Sequence, residues 1–268
     1  MSKVALVTGA TRGLGKALAK ELARRSMTVY GAGRSFKEGE EEQGFIPLVM
    51  DVTDDFSVAE GVSRITNEHG GLDILVNNAG ISHSGAIEDV SLDVAKKIYE
   101  VNYLGVVRLL KAALPEMRKK GSGTVAIVGS AAGKIGVPYQ AHYASSKFAV
   151  EGLSESLSHE LRPFGIRVLL FEPGDVGTTI WDQSEHTIPE GSPYQKAMEG
   201  YHSVKEKEME KDADPPERVA AQIANILLSG TTTLRHPVAK GAPLFMLARK
   251  LLPDSIFLWA VRKNYRIP

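Results

Sequence analysis

Val4-Ala5-Leu6-Val7-Thr8-Gly9-Ala10-Thr11-Arg12-Gly13-Leu14-Gly15 is the stretch that decides the fold. Four apolar residues in succession read as a strand buried on both faces, the habit of parallel sheets. The spacing Leu14, Leu18, Leu22 that follows is helical. Between them the glycines are spaced G-x-x-x-G-x-G, not the general G-x-G-x-x-G. Strand, glycine turn and helix start come in the order a dinucleotide site needs, because helix-terminal amides reach a pyrophosphate only where side chains do not screen them. Thr8, Gly9, Thr11, Arg12, Gly13, Leu14 and Gly15 are therefore candidate cofactor contacts.

Outward from this unit, strands and helices alternate as a parallel sheet requires. A first helix is expected over Gly13 to Arg25 and a second over Asp54 to Glu68, opened by capping aspartates. Leu92 to Lys120 has helical spacing, with Val101, Leu104, Val107 and Leu110 in a stripe that reads as core or subunit contact. Strand Val125–Val128, a helix from His142 to about Arg162 and strand Arg167–Phe171 complete the pattern. The prediction is α/β: one Rossmann-like domain over 1–268, a doubly wound parallel sheet of about seven strands with helices on both faces. Residues 35–44 are short and glycine-punctuated, so the crossover helix there is expected to shrink to a turn, leaving that face thinly covered.

The chemistry is carried by Tyr143-Ala144-Ser145-Ser146-Lys147, preceded thirteen positions earlier by Ser130. Residues four apart share a helix face, so Tyr143 and Lys147 project into one cleft. A free phenol ionises near ~10, too high for a base at neutral pH, and a neighbouring cation lowers that value. Lowering it by about three units takes roughly 4 kcal/mol, more than one exposed ammonium supplies, so a closed site with a cationic cofactor ring is implied. Open α/β sheets place such groups at strand ends, as the pattern does here.

With Asp51-Val52, Asn77-Asn78-Ala79-Gly80, Asn102, Ser130, Tyr143, Lys147 and Pro173-Gly174 following the glycine turn in order, the chain resembles the short-chain dehydrogenases/reductases. The resemblance is strong over about residues 3 to 180 and weaker beyond. It implies that Tyr143 is the acid/base, that Lys147 lowers the Tyr143 pKa and holds the nicotinamide ribose, that Ser130 orients the substrate oxygen and that Asn102 holds a proton-relay water. It further implies that Asp51 and Val52 meet the adenine, that Asn78, Ala79 and Gly80 line the ribose, and that Pro173, Gly174, Val176 and Thr178 border the cofactor. The polar segment 175–212 resembles the family's substrate lid, ordered on binding.

The end of the second strand offers Arg34 where an acidic residue would favour a ribose 2′-hydroxyl, and Arg12 is available from the turn. NADP(H) is expected in preference to NAD(H). The bland alternative is that Arg34 pairs with the run Glu38 to Glu42, an exposed pairing worth about 0–1 kcal/mol.

Ala131, Ala132, Ile135, Val137, Tyr139, His142, Phe171, Val176 and Trp181 are expected around the carbonyl and are mainly apolar, favouring a hydrophobic alcohol or ketone. Tyr139, His142 and Trp181 are the substrate candidates, and His83 is expected to face solvent. No histidine pair has metal-ligand spacing beside carboxylates, so no metal is expected. Lys plus Arg and Asp plus Glu number 32 each and cysteine is absent, which argues against nucleic acid, disulfides and thiolate chemistry. No export signal is read, and a cytoplasmic homodimer or homotetramer is expected.

The extension over 239–268 has two apolar runs, Leu244–Ala248 and Ile256–Val261, flanked by Arg249, Lys250, Arg262, Lys263 and Arg266. They read either as a patch touching membranes or as two short helices packed inward over the substrate pocket; inward packing is the expectation. The function expected is interconversion of a secondary alcohol and a ketone. Reduction of 3-ketoacyl thioesters and a catalytically silent NADP sensor are its rivals.

Overall fold

The computed structural model describes residues 2–37, 39, 42, 44–177, 185–211 and 213–267. Its first strand, β1 (Val4–Thr8), is buried on both faces, as the apolar run requires. Leu6 and Val4 belong to one core and Ala5 and Val7 to the other, the two-residue alternation that a covered strand shows. Beside it, in parallel register, lie β2 (Thr28–Gly33) and β4 (Ile74–Asn77). β3 (Ile46–Val49) is the outer neighbour of β2, and β6 (Gly123–Val128), β7 (Ile166–Pro173) and β9 (Arg235–Val238) extend the other side. The seven-stranded sheet runs β3-β2-β1-β4-β6-β7-β9, all parallel.

One core holds side chains from α2 (Asp55–His69), α4 (Gly105–Lys120) and α5 (Ala141–Glu160). The other holds α1 (Gly13–Arg24) and α7 (Pro216–Leu228). The Rossmann-like, doubly wound reading therefore holds. Strand order reverses between β1 and β4, and α/β sheets bind ligands outside the carboxyl ends of strands at such a switch point. Gly15 shows how tightly α1 docks there: a Cβ would lie 2.3 Å from the Gly9 carbonyl oxygen and 2.5 Å from Asn78 Nδ2.

Helix boundaries agree with expectation to within two residues. The stretch from Leu92 is the exception. It divides into α3 (Leu92–Tyr99), a π turn over Glu100–Leu104 and then α4, with Gly105 N–H donating to the Glu100 carbonyl. A π turn shifts the hydrogen-bond ladder without interrupting the apolar spacing, so periodicity cannot reveal it.

The expected loss of a helix between β2 and β3 is also seen among the described residues. That face is not bare, however. Phe36 and Phe45, both 6% exposed, meet edge to face at 6.1 Å between centroids and fill the space. Gly31 on β2 makes the room, since a Cβ there would sit 2.4 Å from the Phe45 ring.

The distal half departs further from expectation. His83 is buried, in β5 (His83–Gly85), which pairs with β8 (Glu185–Thr187), and its Nε2 bonds Thr187 Oγ1 at 3.0 Å. α6 (Gln195–Lys211) lies within the polar 175–212 segment and is nevertheless docked through Met198, Tyr201 and Lys205, at helical spacing. In α8 (Ala242–Leu251) and α9 (Asp254–Asn264) only Ala242, Phe257 and Val261 are buried. Inward packing thus holds for Phe257 and Val261 of the second run and fails for the rest: Leu244 is 72% exposed, Leu247 51% and Trp259 55%.

Gly15→Ala should destabilise the protein by about 1–3 kcal/mol, because the new methyl overlaps main chain that cannot move aside. Thermal denaturation checks this, and an unchanged Tm would contradict the packing described for α1.

Candidate active site

The start of α1 is built for an anion. Its N-cap, Arg12, is extended and makes no side-chain capping bond, and the first turn has no acidic residue. Its first amides therefore lack the usual side-chain acceptors and carry the positive end of the helix dipole. Gly13 holds φ at 54°, a conformation side chains disfavour. These features fit the pyrophosphate of a dinucleotide.

Thr8 and Asn78 tie the switch point together. The Thr8 hydroxyl accepts from the amides of Asn78 (3.0 Å) and Ala79 (3.1 Å), and Asn78 Nδ2 donates to the Thr8 carbonyl at 2.8 Å. Asn78 thus spends its side chain on structure. Leu14 likewise is a core residue, leaving only its main chain for a ligand.

The turn is clamped to the end of β2 by a bond from the Ala10 amide to the Ala32 carbonyl at 2.9 Å. The Thr11 methyl lies over Gly33, 2.4 Å from where a Cβ would be. This brings Arg34 next to the glycine turn, with Arg12 also exposed there. Of the glutamate run only Glu42 is described, and it pairs with Lys16 at 2.5 Å, whereas Glu38, Glu40 and Glu41 lie outside the described residues; Arg34 Nη1 lies 4.0 Å from Asp51 Oδ2. The Asp51 carboxylate also accepts from the Thr53 amide (2.9 Å) and hydroxyl (2.8 Å). Val52 is buried beneath it against Gly105.

At the other side of the switch point, β6 delivers Ser130 and α5 delivers Tyr143 and Lys147. The Ser130 hydroxyl accepts from the Ala132 amide at 3.1 Å, which leaves its proton for the Tyr143 phenol, to which it is hydrogen-bonded. Lys147, 5% exposed, donates from Nζ to the Val128 carbonyl at 3.0 Å and lies 5.9 Å from the Tyr143 ring centre. Gly80 closes the site from β4, since a Cβ there would meet Lys147 Nζ at 3.6 Å and Asn102 Oδ1 at 3.4 Å.

Asn102 lies in the π turn, 1% exposed. Its Nδ2 donates to the Ile81 carbonyl and to Ser146 Oγ, each at 3.0 Å, and its Oδ1 accepts from the Ile81 amide at 2.9 Å. The carboxamide is therefore a latch joining β4's loop to α5.

The electrostatics differ from expectation in one respect. Burial raises the Tyr143 phenol, and the Ser130 bond and the Lys205 cation oppose that rise. Burial likewise pushes the Lys147 ammonium down to about 8. Removing water costs each ionised form more than the pair interaction returns in the protein alone.

Of the remaining candidates, Pro173 ends β7 and Gly174 bonds the Val238 carbonyl at 3.1 Å. Val176 is buried and bridges to Asp214. Phe171 lies in the α1/α7 core and stacks on His236, so it is not a pocket residue. Tyr139 has φ 60°, unusual for a tyrosine, and its ring meets Tyr201 at 5.7 Å. His142 is half-buried in the first turn of α5, while Thr178 and Trp181 lie outside the described residues. Among the described residues no group of three His, Asp or Glu side chains forms a metal-ligand arrangement.

Two groups escaped the sequence reading. Lys205, paired with Asp175 at 2.8 Å and Glu208 at 3.1 Å, acts on the Tyr143 phenol from α6. Its spacing from Met198 and Tyr201 on a helix was the available signal. Behind Lys147, buried Glu151 bonds Lys134 at 2.6 Å and Arg235 at 3.0 Å. Burial and the Glu151 charge push the adjoining Glu172 carboxyl up to about 7.

The buried Lys147 generates a pH signature. Below about pH 8 folded and unfolded chains both hold its proton. Between about 8 and the unfolded value near ~10.4 only the unfolded chain does, so stability from this group rises with pH, by up to about 3 kcal/mol. Lys147→Met should abolish that rise in urea unfolding followed from pH 7.5 to 9.5; an identical slope in both proteins would contradict it.

The family pattern described as short chain dehydrogenase matches residues 3–189. The 3-ketodihydrosphingosine reductase of Bacteroides thetaiotaomicron is 37% identical over 268 residues, covering 99% of this chain and 98% of the relative. The NADPH-dependent 3-dehydrocapnine reductase of Ornithobacterium rhinotracheale is 33% identical over 269 residues, covering 95% and 94%. A short-chain dehydrogenase crystal structure from Streptomyces avermitilis superposes with a TM-score of 0.82 at 30% identity, covering 99% and 96%. On sequence and architecture alike, this chain belongs to the short-chain dehydrogenases/reductases, oxidoreductases that act on alcohol and carbonyl groups.

Proposed function

We propose that the protein is an NADPH-dependent reductase of a hydrophobic, long-chain ketone, with Tyr143 as the proton donor. The observation that carries this reading is the half-buried Tyr143 phenol held by the Ser130 hydroxyl beside the buried Lys147 ammonium. A phenol raised by burial is protonated at neutral pH, the state required of an acid that protonates the oxygen of a ketone under reduction.

When bound, the nicotinamide nucleotide supplies hydride to the carbonyl carbon. Ser130 donates to the carbonyl oxygen and fixes its position against Tyr143, which passes its proton to that oxygen as negative charge develops. Lys147, one helical turn from Tyr143, stabilises the phenolate left behind and holds the nicotinamide ribose. Proton resupply through a water falls to the main chain of Asn102, since its carboxamide is engaged. The first-turn amides of α1 hold the pyrophosphate, and Arg34 with Arg12 takes the 2′-phosphate, a role that guanidinium geometry suits. Asp51 and Val52 border the adenine.

A hydrophobic substrate is supported by the apolar side chains of Ala132 and Ile135 next to the site, and reduction with NADPH by the two relatives of matching length, named a 3-ketodihydrosphingosine reductase and an NADPH-dependent 3-dehydrocapnine reductase. Residues 175–212 act as the substrate lid. Leu104, 39% exposed at the end of the π turn before α4, and Phe148, 45% exposed on α5, support self-association through those helices.

Tyr143→Phe should lower ketone turnover by about 10²–10⁴-fold while NADPH binding, followed by fluorescence, is kept. Full turnover in that variant would end the reading. Arg34→Asp should shift the NADPH/NADH preference toward NADH by roughly 30- to 100-fold in kcat/KM, the worth of a lost charge-assisted bond. An unchanged ratio would count against NADP.

A further inference from the structure

We propose that the α8–α9 pair is a docking surface for an anionic lipid bilayer, through which the protein draws its substrate from the membrane. This deepens the proposed function, since it names the phase that supplies the long-chain ketone.

The surface is apolar where a monomer in water gains nothing from it. On α8, Leu244, Leu247 and Leu251 follow the i, i+3, i+7 spacing of one face and are 72%, 51% and 68% exposed. On α9, Ile256 and Trp259 are 49% and 55% exposed, at i, i+3. The two helices are held together by the Phe245 and Phe257 rings, 5.5 Å apart between centroids. Clusters of exposed large apolar side chains of this kind mark contact sites, not ordinary surface.

Charge selects the occupant. Residues 239–268 contain six basic residues, Lys240, Arg249, Lys250, Arg262, Lys263 and Arg266, and one acidic residue, Asp254. The whole chain balances at 32 against 32, so the segment is five positive and the remainder five negative. Arg249 pairs with Asp254 at 2.6 Å, while Lys250, Arg262, Lys263 and Arg266 are exposed. Exposed leucines with a tryptophan, bordered by lysine and arginine, suit the apolar edge and phosphate layer of a bilayer together. A second copy of the chain would bring the same positive segment against itself, which charge disfavours. No helix among the described residues is long and apolar enough to cross a membrane, so the contact lies in the surface.

Position supplies the reason. The inner side of α9 packs Phe257 and Val261 on Ile135, in the loop after Ser130, with Tyr265 beside them. Tyr265 meets Tyr201 of α6 at 5.2 Å, and Tyr201 meets Tyr139. At its other end α8 begins against Gly174, where a Cβ would lie 3.3 Å from Ala242. The pair therefore roofs the substrate side of the cleft with one face and presents the other outward. A lipid chain leaving the bilayer would pass a single layer of helix to reach Tyr143.

Flotation of the full-length protein with vesicles tests this. Phosphatidylcholine vesicles containing phosphatidylglycerol should carry the protein upward at low salt, pure phosphatidylcholine should carry much less, and high salt should release it. Leu244→Ser/Leu247→Ser/Trp259→Ser and, separately, Lys250→Glu/Arg262→Glu/Lys263→Glu should each reduce flotation about tenfold or more, with unchanged circular dichroism and unchanged reduction of a short water-soluble ketone. Wild-type protein left at the bottom of the gradient with anionic vesicles at low salt would overturn the proposal. So would a dimer in sedimentation velocity that the apolar variant converts to monomer without any vesicle binding in the wild type. Soluble-ketone reduction without flotation sinks the docking surface alone, and flotation without any ketone reduction sinks the enzymatic reading alone.

Discussion

The cost of keeping one ammonium out of water organises the half of this molecule that holds the candidate site. Lys147 is buried at 5% exposure with its charge directed at the Val128 carbonyl. An unpaired ion in such a place would neutralise, and its pKa is already drawn down to about 8. What keeps it there is backbone geometry: β6 ends with a carbonyl that accepts from it at 3.0 Å. The π turn, through Asn102 and Ser146, holds α5 at the right depth. The same burial keeps the neighbouring phenol protonated, so one desolvated pocket sets both groups.

Much of this was legible in the residues. Val4–Gly15 announced β1, the turn and α1, and the spacing of Tyr143 and Lys147 placed them together on α5, because both depend on spacing along a single element. The π turn was not legible: it leaves the apolar stripe of Leu92–Lys120 intact while moving Asn102 out of the regular ladder. Neither was the direction of the Tyr143 shift, which depends on how much water the assembled site excludes. Lys205 was hidden for a different reason. In a stretch rich in Lys and Glu, only the docking of α6 distinguishes the lysine that turns inward.

The distal half shows where composition misleads. Polarity between 175 and 212 suggested a segment without structure of its own, yet Met198, Tyr201 and Lys205 suffice to seat a helix. Apolar runs near the C-terminus suggested inward packing, yet of the two runs only Phe257 and Val261 are buried, while Leu244, Leu247 and Trp259 stay exposed. Burial is decided by the area available to receive a side chain, which no local pattern records.

Among the described residues no helix joins β2 to β3, and this has a cost at the margin of the sheet. Phe36 and Phe45 cover the flank of β2 but not its neighbour, so Ile46 and Val49 of β3 are 38% and 45% exposed on an outermost strand. Such a rim invites a foreign strand to add itself. Pro47, between the two, has no N–H to offer an incoming chain, and a four-residue strand gives it little length to grip. Cover by two aromatic rings is tolerable because the border left open is short and interrupted by an imino acid.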